Sequence, residues 1–338
     1  MSEQTLPTTG RAWHLEARPE GRPAPADFAL RKVEIPAPGP GQLLVANEYL
    51  SVDPYMRGRM SAKKSYIEPY EVGEPMDGPA VGRVLASNAD GFAPGDHVLH
   101  VLGWREYAVL DAATAQKVDP APAPLSAYLG VLGVPGLTAY VGLTRFAQIK
   151  EGDTVFLSGA AGAVGSVAGQ IAKLKGAARV IGSTGSDAKI KLLEAEYGFD
   201  AAFNYKKGPV AEQLAQAAPD GIDVFFDNVG GEHLEAAIGA LKLHARIVLS
   251  GMVSQYNDEK VVGPRNLWNM SVTRSRMLAF MVTEELDLQP EFAREVGGWI
   301  LGGKLRHSET VVDGIDDTLE AFLALMRGEN IGKMLVRL

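Results

Sequence analysis

The feature that most constrains this chain is one stretch near its centre, residues 154–187. An apolar run, Val155–Leu157, leads into a turn dense in glycine. A segment with apolar residues at helical spacing follows, and a second apolar run, Val180–Ile181, closes the stretch. This order is typical of a β-turn-α-β unit, in which two parallel strands are joined by a helix. The stretch therefore predicts a parallel sheet at the centre of the fold.

The same alternation continues on both sides of this unit. Strand-like runs are predicted at 154–158, 178–183, 201–204, 222–227, 245–250 and 276–282. Helical patterns lie between them at 163–176, 187–197, 209–217 and 231–241. Such regular alternation indicates an α/β fold with a doubly wound parallel sheet. We assign this Rossmann domain to residues 126–302.

The first part of the chain has a different texture. Residues 1–125 contain short apolar runs separated by Pro and Gly, which predicts a small barrel-like β domain. The Pro-rich stretch 121–124 is interpreted as a linker. From about 303 onward, one amphipathic helix with apolar residues at 319, 322, 323 and 326 precedes a terminal strand. With 338 residues, two domains are expected.

Charge and hydropathy exclude several classes of function. The net charge of -8 argues against a nucleic-acid or anionic-membrane partner, because neutralising phosphates needs clustered Lys and Arg. No apolar run reaches the length of a membrane span, and the N-terminal residues lack the apolar core of a signal peptide. We therefore predict a cytoplasmic protein that binds no membrane and no nucleic acid.

Metal chemistry is not expected. The chain has no cysteine, which excludes disulfides, thiol nucleophiles and Cys-based zinc sites. The six histidines show no ligand-like spacing. His97 and His100 are three residues apart in a strand-like run, where alternation directs them to opposite faces. We predict no metal ion in the site.

The glycine turn has the form of a phosphate-binding loop. Residues 160–165 read A-x-G-x-x-G, with Ala160 in place of the first glycine. Gly162 would let backbone amides approach a pyrophosphate, and Gly165 would let the helix pack closely on the strand. The N-terminus of that helix adds partial positive charge. Because a strand precedes the turn and a helix and strand follow it, we interpret it as a dinucleotide site.

The tip of the second strand favours NADP over NAD. An NAD site needs a carboxylate there to hold the ribose 2'-hydroxyl, but the strand ends in Gly182-Ser183-Thr184-Gly185. Lys189, on the next helix, would pair with a 2'-phosphate. Asp187 is the nearest acid, and we expect it to cap that helix rather than to hold the ribose.

These residues, together with several longer motifs, resemble a known family. The motifs are DPYMR at 53–57, PGLTAY at 135–140, SGAAGAVGS at 158–166, GFDAAFNYK at 198–206, FFDNVGGE at 225–232, VSQYN at 253–257 and NIGKMLV at 330–336. They are similar to the zinc-independent branch of the medium-chain dehydrogenase/reductases that holds the leukotriene B4 12-hydroxydehydrogenase/15-oxo-prostaglandin 13-reductases, the plant alkenal double-bond reductases and bacterial curcumin reductase. The similarity runs almost from end to end.

The resemblance implies a GroES-like catalytic domain at 1–125, completed by 303–338, beside a Rossmann NADP-binding domain. It also implies hydride transfer from NADPH to the β-carbon of an α,β-unsaturated aldehyde or ketone, and a homodimer. Pyrophosphate contacts would come from Gly162, Ala163, Val164 and Gly165. Lys189, Tyr205 and Asn330 would contact the 2'-phosphate and adenosine. The ribose and nicotinamide would be flanked by Asn228, Ser250, Gly251, Met252, Val253, Ser254, Gln255, Tyr256, Phe280, Met281 and Val282.

Such a reduction needs no metal, since the enolate it forms is delocalised and needs only hydrogen-bond donors at its oxygen. Tyr256 is the candidate donor, because a phenol is protonated at neutral pH. A ribose hydroxyl and water are rival proton sources, and a loop tyrosine that only lines the cofactor is the plain alternative. Tyr55 is expected to line the substrate pocket. Two other functions stay open: a zinc-free quinone oxidoreductase, and a nucleotide-binding protein without turnover.

Overall fold

The computed structural model describes residues 5–258 and 261–338. They form two compact units, and neither unit is continuous in sequence. The first contains the described residues up to Leu129, with Glu309–Asn330 and Met334–Leu338. The second contains Gly130–Ser308 and Ile331–Lys333.

The helices and strands are short, and many of them are separated by segments that contain Gly or Pro. The strands are β1 Thr9–Leu15, β2 Phe28–Glu34, β3 Gln42–Ser51, β4 Ala80–Ser87, β5 His97–His100, β6 Tyr107–Asp111, β7 Gln116–Val118, β8 Thr154–Leu157, β9 Arg179–Thr184, β10 Ala201–Asn204, β11 Ile222–Asp227, β12 Leu241–Leu249, β13 Arg276–Ala279, β14 Glu309–Asp313 and β15 Lys333–Arg337. The α-helices are α1 Met56–Arg59, α2 Val134–Val141, α3 Gly165–Leu174, α4 Asp187–Glu196, α5 Val210–Ala217, α6 Glu232–Gly239, α7 Trp268–Thr273, α8 Gln289–Leu301 and α9 Thr318–Met326.

The first unit is built mainly of β-sheet. Strands β1 and β2 pair with each other, and a second sheet has the order β14-β15-β3-β4-β5-β7, with β6 also paired to β3. Helix α9 presents the apolar face expected from the sequence, and Phe322 on it meets the ring of Trp104 edge-on at 5.9 Å. Both side chains are fully buried. One hydrophobic core of this unit therefore lies between its strands and α9.

The second unit is a parallel sheet with the order β10-β9-β8-β11-β12-β13. Counted from β8, this is the 3-2-1-4-5-6 order of dinucleotide-binding folds. The order reverses between β8 and β11, so the carboxyl ends of these two neighbouring strands open into a crevice. The predicted fold class, a GroES-like β-barrel domain plus a Rossmann domain with a doubly wound parallel sheet, is confirmed.

Two glycines bring α3 and β9 close to one aromatic ring. A Cβ on Gly169 would lie 2.1 Å from the Phe199 ring, and one on Gly182 would lie 3.0 Å from it. The ring of Phe156 stacks on Phe225 at 5.0 Å on another part of this core. The glycines are thus explained by packing, since any side chain at either position would displace Phe199.

The structure differs from the sequence-based elements at several places. Strand β12 begins at Leu241, where the helical pattern was expected to continue, and β13 ends at Ala279 because Val282–Glu284 forms a short 3-10 helix. The sequence pattern gave no signal for β1, β7, β14, α2, α7 or α8. None of the described helices is both long and apolar enough to cross a bilayer.

Candidate functional site

The turn between β8 and α3 is fixed by the absence of side chains. A Cβ on Gly165 would lie 2.5 Å from the carbonyl oxygen of Gly159 and 2.8 Å from Cα of Ala160. Both neighbours are backbone atoms that cannot move aside, so only glycine fits. The Gly162 amide donates to the Gly159 carbonyl at 3.0 Å and tightens the turn.

The rim of this turn is open while its base is buried. Gly162, Ala163 and Val164 are partly exposed, whereas Gly165 is buried. Helix α3 begins at Gly165 and runs for ten residues. The first amides of a helix have no acceptor within it, and its dipole places partial positive charge at that end. A partly exposed glycine rim over a helix N-terminus fits a pyrophosphate.

A second backbone segment that the sequence analysis missed pairs with the turn. The Gly332 amide donates to the Ala161 carbonyl at 2.8 Å, and Gly162 and Gly332 form an isolated bridge. Gly332 has a φ of +63°, and a Cβ there would lie 1.8 Å from the Ser308 carbonyl oxygen. The signal was present in the NIGKMLV motif, which has a glycine where the chain must pass this close.

The carboxyl ends of β8 and β11 are tied together by side chains. Ser158 donates its hydroxyl to Asp227 Oδ1 at 2.7 Å and accepts the Asn228 amide at 2.8 Å. The Asn228 side chain donates to the Ser158 carbonyl at 2.8 Å. Burial raises the pKa of Asp227, although amides and the Ser158 hydroxyl oppose the shift. Ser158 and Asp227 were not predicted as site residues, because their partnership joins distant parts of the sequence.

The tip of β9 lacks a carboxylate, as the sequence indicated. The cap of α4 is Ser186, whose hydroxyl accepts the Lys189 amide at 3.4 Å, so the expectation that Asp187 caps this helix is wrong. Asp187 is the first helical residue, and its carboxylate accepts from Asn204 at 3.1 Å and pairs with Lys207. Its charge is therefore offset by a lysine. The Lys189 side chain is half-buried on the same turn.

Tyr205 belongs to a cluster next to this tip. Its ring meets the His233 imidazole edge-on at 5.3 Å, and its hydroxyl lies 3.2 Å from the Cβ position of Gly185. His233 is buried, and its Nε2 is 2.7 Å from the Ser183 hydroxyl. Burial lowers the pKa of His233 to about 4. A neutral imidazole thus packs against the Tyr205 ring, a contact that was not predicted from the sequence.

The loop 250–256, which follows β12, is hydrogen-bonded to the end of β11. The amides of Ser250 and Gly251 both donate to the Asp227 carbonyl, at 2.8 and 3.0 Å. The Tyr256 hydroxyl accepts the Met252 amide at a long 3.5 Å. Burial raises the pKa of Tyr256. A phenol in this setting is protonated at neutral pH and is able to donate a hydrogen bond.

The segment that follows β13 is held by aromatic and ionic contacts. The Phe280 ring stacks on Phe146 at 4.8 Å. Phe146 ends a π-helical turn that starts at Gly142, and a Cβ on Gly142 would lie 2.5 Å from the Phe226 ring. In the same turn Arg145 pairs with Glu285, and with Asp287 at 2.6 Å. These contacts fix Phe280, which precedes Met281 and Val282, after the end of β13.

Most of the predicted residues thus follow the carboxyl ends of the strands in one parallel sheet. The glycine turn follows β8, Lys189 follows β9, Tyr205 follows β10, Asn228 follows β11, and the 250–256 loop follows β12. Tyr55 and Asn330 belong to the first unit, where burial raises the pKa of Tyr55 and Asn330 is buried. Their roles stay predictions.

The histidines of β5 have ordinary structural partners. His100 is buried with its Nε2 2.9 Å from the Asn47 side-chain oxygen, and burial lowers its pKa to about 3. His97 is partly exposed and lies 3.6 Å from Glu48. Within residues 5–258 and 261–338, no cluster of three or more His, Asp or Glu side chains is arranged to hold a metal ion.

Two family models match the two parts of the chain. The first, described as the N-terminal domain of oxidoreductase, covers residues 11–118. The second, described as zinc-binding dehydrogenase, covers residues 163–291. The chain itself has no cysteine to offer zinc.

Individual relatives match over nearly the whole length. The NADPH-dependent curcumin reductase of Escherichia coli is 40% identical, with 97% of this chain and 96% of the relative covered. The 2-alkenal reductase (NADP(+)-dependent) of Nicotiana tabacum is 41% identical, with 94% of each covered. The crystal structure of CurA from Vibrio vulnificus in complex with NADPH is 40% identical and superposes with a TM-score of 0.92 over 97% of this chain and 98% of that one. This chain therefore belongs to the branch of the medium-chain dehydrogenase/reductases that contains the curcumin and 2-alkenal reductases.

Proposed function

We propose that this protein reduces the C=C bond of α,β-unsaturated aldehydes and ketones with NADPH. The observation that carries the proposal is that two features follow strands at one edge of the same sheet: the glycine turn after β8 and, on the loop after β12, a half-buried Tyr256 whose pKa is raised by burial. The near full-length similarity to a curcumin reductase and a 2-alkenal reductase supports the same chemistry. No described residue cluster suggests a metal that would activate a carbonyl.

The cofactor would lie along the carboxyl edge of the parallel sheet. The amides of Gly162–Gly165 would hold its pyrophosphate. Lys189, Tyr205 and Asn330 would contact its 2'-phosphate and adenosine. The loop 250–256, together with Asn228 and Phe280–Val282, would flank its ribose and nicotinamide. The ion pair between Asp187 and Lys207 supports a site that tolerates an extra phosphate, since the lysine offsets the negative charge of this carboxylate.

The residues of this chain would then act on the substrate carbonyl. NADPH supplies the hydride, which goes to the β-carbon of the substrate. Tyr256 would donate a hydrogen bond to the carbonyl oxygen as it gains enolate charge, and this lowers the barrier. The α-carbon would then take its proton from Tyr256, from a ribose hydroxyl or from water. Tyr55 would line the pocket that holds the rest of the substrate.

A substrate panel tests this function. We expect the purified protein to consume NADPH, and NADH far more slowly, with trans-2-alkenals, benzalacetone-type enones or curcumin. Oxidation of NADPH by a quinone alone would instead make the protein a quinone oxidoreductase. Binding of NADPH without reduction of any of these electrophiles would make it a nucleotide-binding protein without turnover.

A single hydroxyl tests the role of Tyr256. Replacing Tyr256 with Phe should lower kcat by about 10²- to 10³-fold, the usual cost of one oxyanion donor, while NADPH binding changes little. The matched control is Tyr140→Phe, which removes a phenol bonded at 2.7 Å to Glu291 and at 3.0 Å to Glu295. This control should keep wild-type kcat. Equal activity of the two variants would remove Tyr256 from the mechanism.

We also propose a homodimer formed through the edge of the parallel sheet. Strand β13 ends the sheet, and the neighbouring helix α7 buries none of its residues. Trp268 on that helix is 75% exposed, and Val272 is exposed as well. An open strand edge beside exposed apolar groups is a surface that a second copy would cover. Sedimentation should give a dimer that Trp268→Arg weakens; a monomer at all concentrations would contradict this.

Cytoplasmic residence of the protein stays a prediction.

A further inference from the structure

Asp227 is a fully buried carboxylate at the end of β11. Its Oδ1 accepts three hydrogen bonds, from the Ser158 hydroxyl at 2.7 Å and from the amides of Val229 and Gly230 at 2.9 Å each. Its Oδ2 is buried and has no hydrogen-bond partner in the described part of the chain. A buried carboxylate oxygen without a partner costs folding free energy. Stability alone therefore does not explain this residue.

The three hydrogen bonds to Oδ1 fix the turn at residues 228–230, and this turn holds the loop that carries Tyr256. Asn228 and Val229 offer their carbonyls to the amides of Val253 and Ser254, at 3.2 and 3.1 Å. The Ser254 hydroxyl adds a bond of 2.6 Å to the same Val229 carbonyl. Tyr256 follows two residues later. The Asp227 side chain is thus connected to the Tyr256 segment through two successive sets of hydrogen bonds.

The same carboxylate reaches the phosphate side of the site. Ser158, which donates to it, directly precedes the first glycine of the turn after β8. Ser158 and Asp227 therefore join the two strands between which the sheet order reverses, where this fold class binds its ligands. Displacement of Asp227 would shift the loop after β12 relative to the glycine turn.

We propose that Asp227 is a positioning residue: through Oδ1 it sets the distance between the glycine turn and Tyr256, and so aligns the Tyr256 hydroxyl with the substrate. This rests on the proposed reductase function. Asp227 has no place for a substrate, because its side chain is completely buried. It acts only through the groups that it holds.

The unpartnered Oδ2 makes the proposal specific. All three contacts use one oxygen, so an amide oxygen in the same place would accept the same three donors. Asp227→Asn should therefore keep the alignment, although it removes the negative charge. Asp227→Ala should lose it, because three donors are left without an acceptor. A role that depended on the charge would predict that both variants fail.

The experiment measures kcat with a trans-2-alkenal per NADPH-binding site, alongside the Kd for NADPH. For Asp227→Ala we expect kcat to fall by about 10²-fold, the effect of roughly 1 Å of misalignment, with a much smaller change in Kd. Asp227→Asn should retain most of the wild-type kcat. The matched control is Asp153→Ala at the opposite end of β8, where another buried carboxylate accepts the Lys150 amide at 2.7 Å. It should lose stability but keep its kcat per binding site.

A second variant and a second measurement keep the outcome decisive. If Asp227→Ala does not fold, Ser254→Ala removes one link of the same chain and should lower kcat by about tenfold. Hydrogen exchange should also rise in residues 250–256 of either variant, and this does not depend on turnover. Wild-type kcat in folded Asp227→Ala, or loss of activity in Asp227→Asn equal to that in Asp227→Ala, would overturn the proposal. Inactivity of the wild type toward every alkenal would instead overturn the proposed function.

Discussion

The turn after β8 and the loop after β12 lie at the same edge of one sheet but are specified by opposite means. The turn is defined by missing side chains, with Gly165 so close to the Gly159 carbonyl that no Cβ fits. The loop is defined by hydroxyl groups, among them Ser254 and Tyr256, bonded to backbone. A pyrophosphate is the same in every dinucleotide, so backbone suffices to bind it. A substrate needs side chains that vary.

The largest effect should follow from breaking the turn. Gly165→Val would force a Cβ to within 2.5 Å of the Gly159 carbonyl oxygen, where only backbone movement relieves the clash. We expect a loss of about 3 kcal/mol or more of unfolding free energy, the upper range for overpacking, and loss of NADPH binding. Denaturant unfolding and cofactor fluorescence measure the two effects. Tight NADPH binding by Gly165→Val would contradict the tight-turn argument.

Acid should weaken the packing of His233, on helix α6, against Ser183 of β9. Since burial lowers the pKa of His233 from 6.5 to about 4, the folded state favours the neutral ring. Below pH 6.5 the unfolded state binds a proton at His233 that the folded state does not bind. The free energy of unfolding is therefore unaffected by His233 above pH 6.5 and falls by on the order of 3 kcal/mol as the pH decreases to about 4. Unfolding free energy measured across this range should decline more steeply in the wild type than in His233→Asn. Identical slopes would refute a buried neutral His233.

Coenzyme preference tests the side chains beside β9. Lys189→Ala should weaken NADPH binding by about tenfold, the value of one charge-assisted hydrogen bond, and leave NADH binding unchanged. Lys191→Ala, on the same helix, is the control and should keep the preference. If Lys189→Ala still discriminates between the coenzymes as the wild type does, Lys189 does not hold the 2'-phosphate.

The smallest effect has the opposite sign. Gly297 lies inside α8 with open space where a Cβ would be, so it is the counterpart of the crowded Gly165. Gly297→Ala should stabilise the protein by about 0.5–1 kcal/mol, because alanine loses less backbone entropy in a helix. A melting temperature that falls in this variant would show that Gly297 has a packing role.

Much of the second unit could be predicted from sequence because its signals are local. The strand predicted at 154–158 is observed at Thr154–Leu157, and the helix predicted at 163–176 is observed at Gly165–Leu174. Each apolar run here is bounded by glycine or by a polar turn, and both faces of the central strands β8, β9 and β11 are buried. The acid-free tip of β9 came from the same local signals, whereas the loop that carries Tyr256 was predicted from the resemblance to a known family.

The elements that were missed lack such signals. Helix α2 contains Pro135 and Gly136, two residues that lower the helical propensity of the sequence. Gly136 is required there by packing, because a Cβ would lie 1.9 Å from the Val131 carbonyl oxygen. Helix α8 has two adjacent glycines in its interior, and α7 buries no residue and so has no apolar stripe.

The bond between Ser158 and Asp227 joins residues 69 positions apart. Only the strand order brings them together, so no sequence period reveals them.

The most direct test of the account is the fate of the transferred hydrogen. Reduction of a trans-2-alkenal with NADPH deuterated at the nicotinamide C4 position, followed by NMR of the product, locates the label. We predict a saturated aldehyde with deuterium on the β-carbon and a solvent-derived proton on the α-carbon. Deuterium on the carbonyl carbon of an unsaturated alcohol would contradict the proposed function.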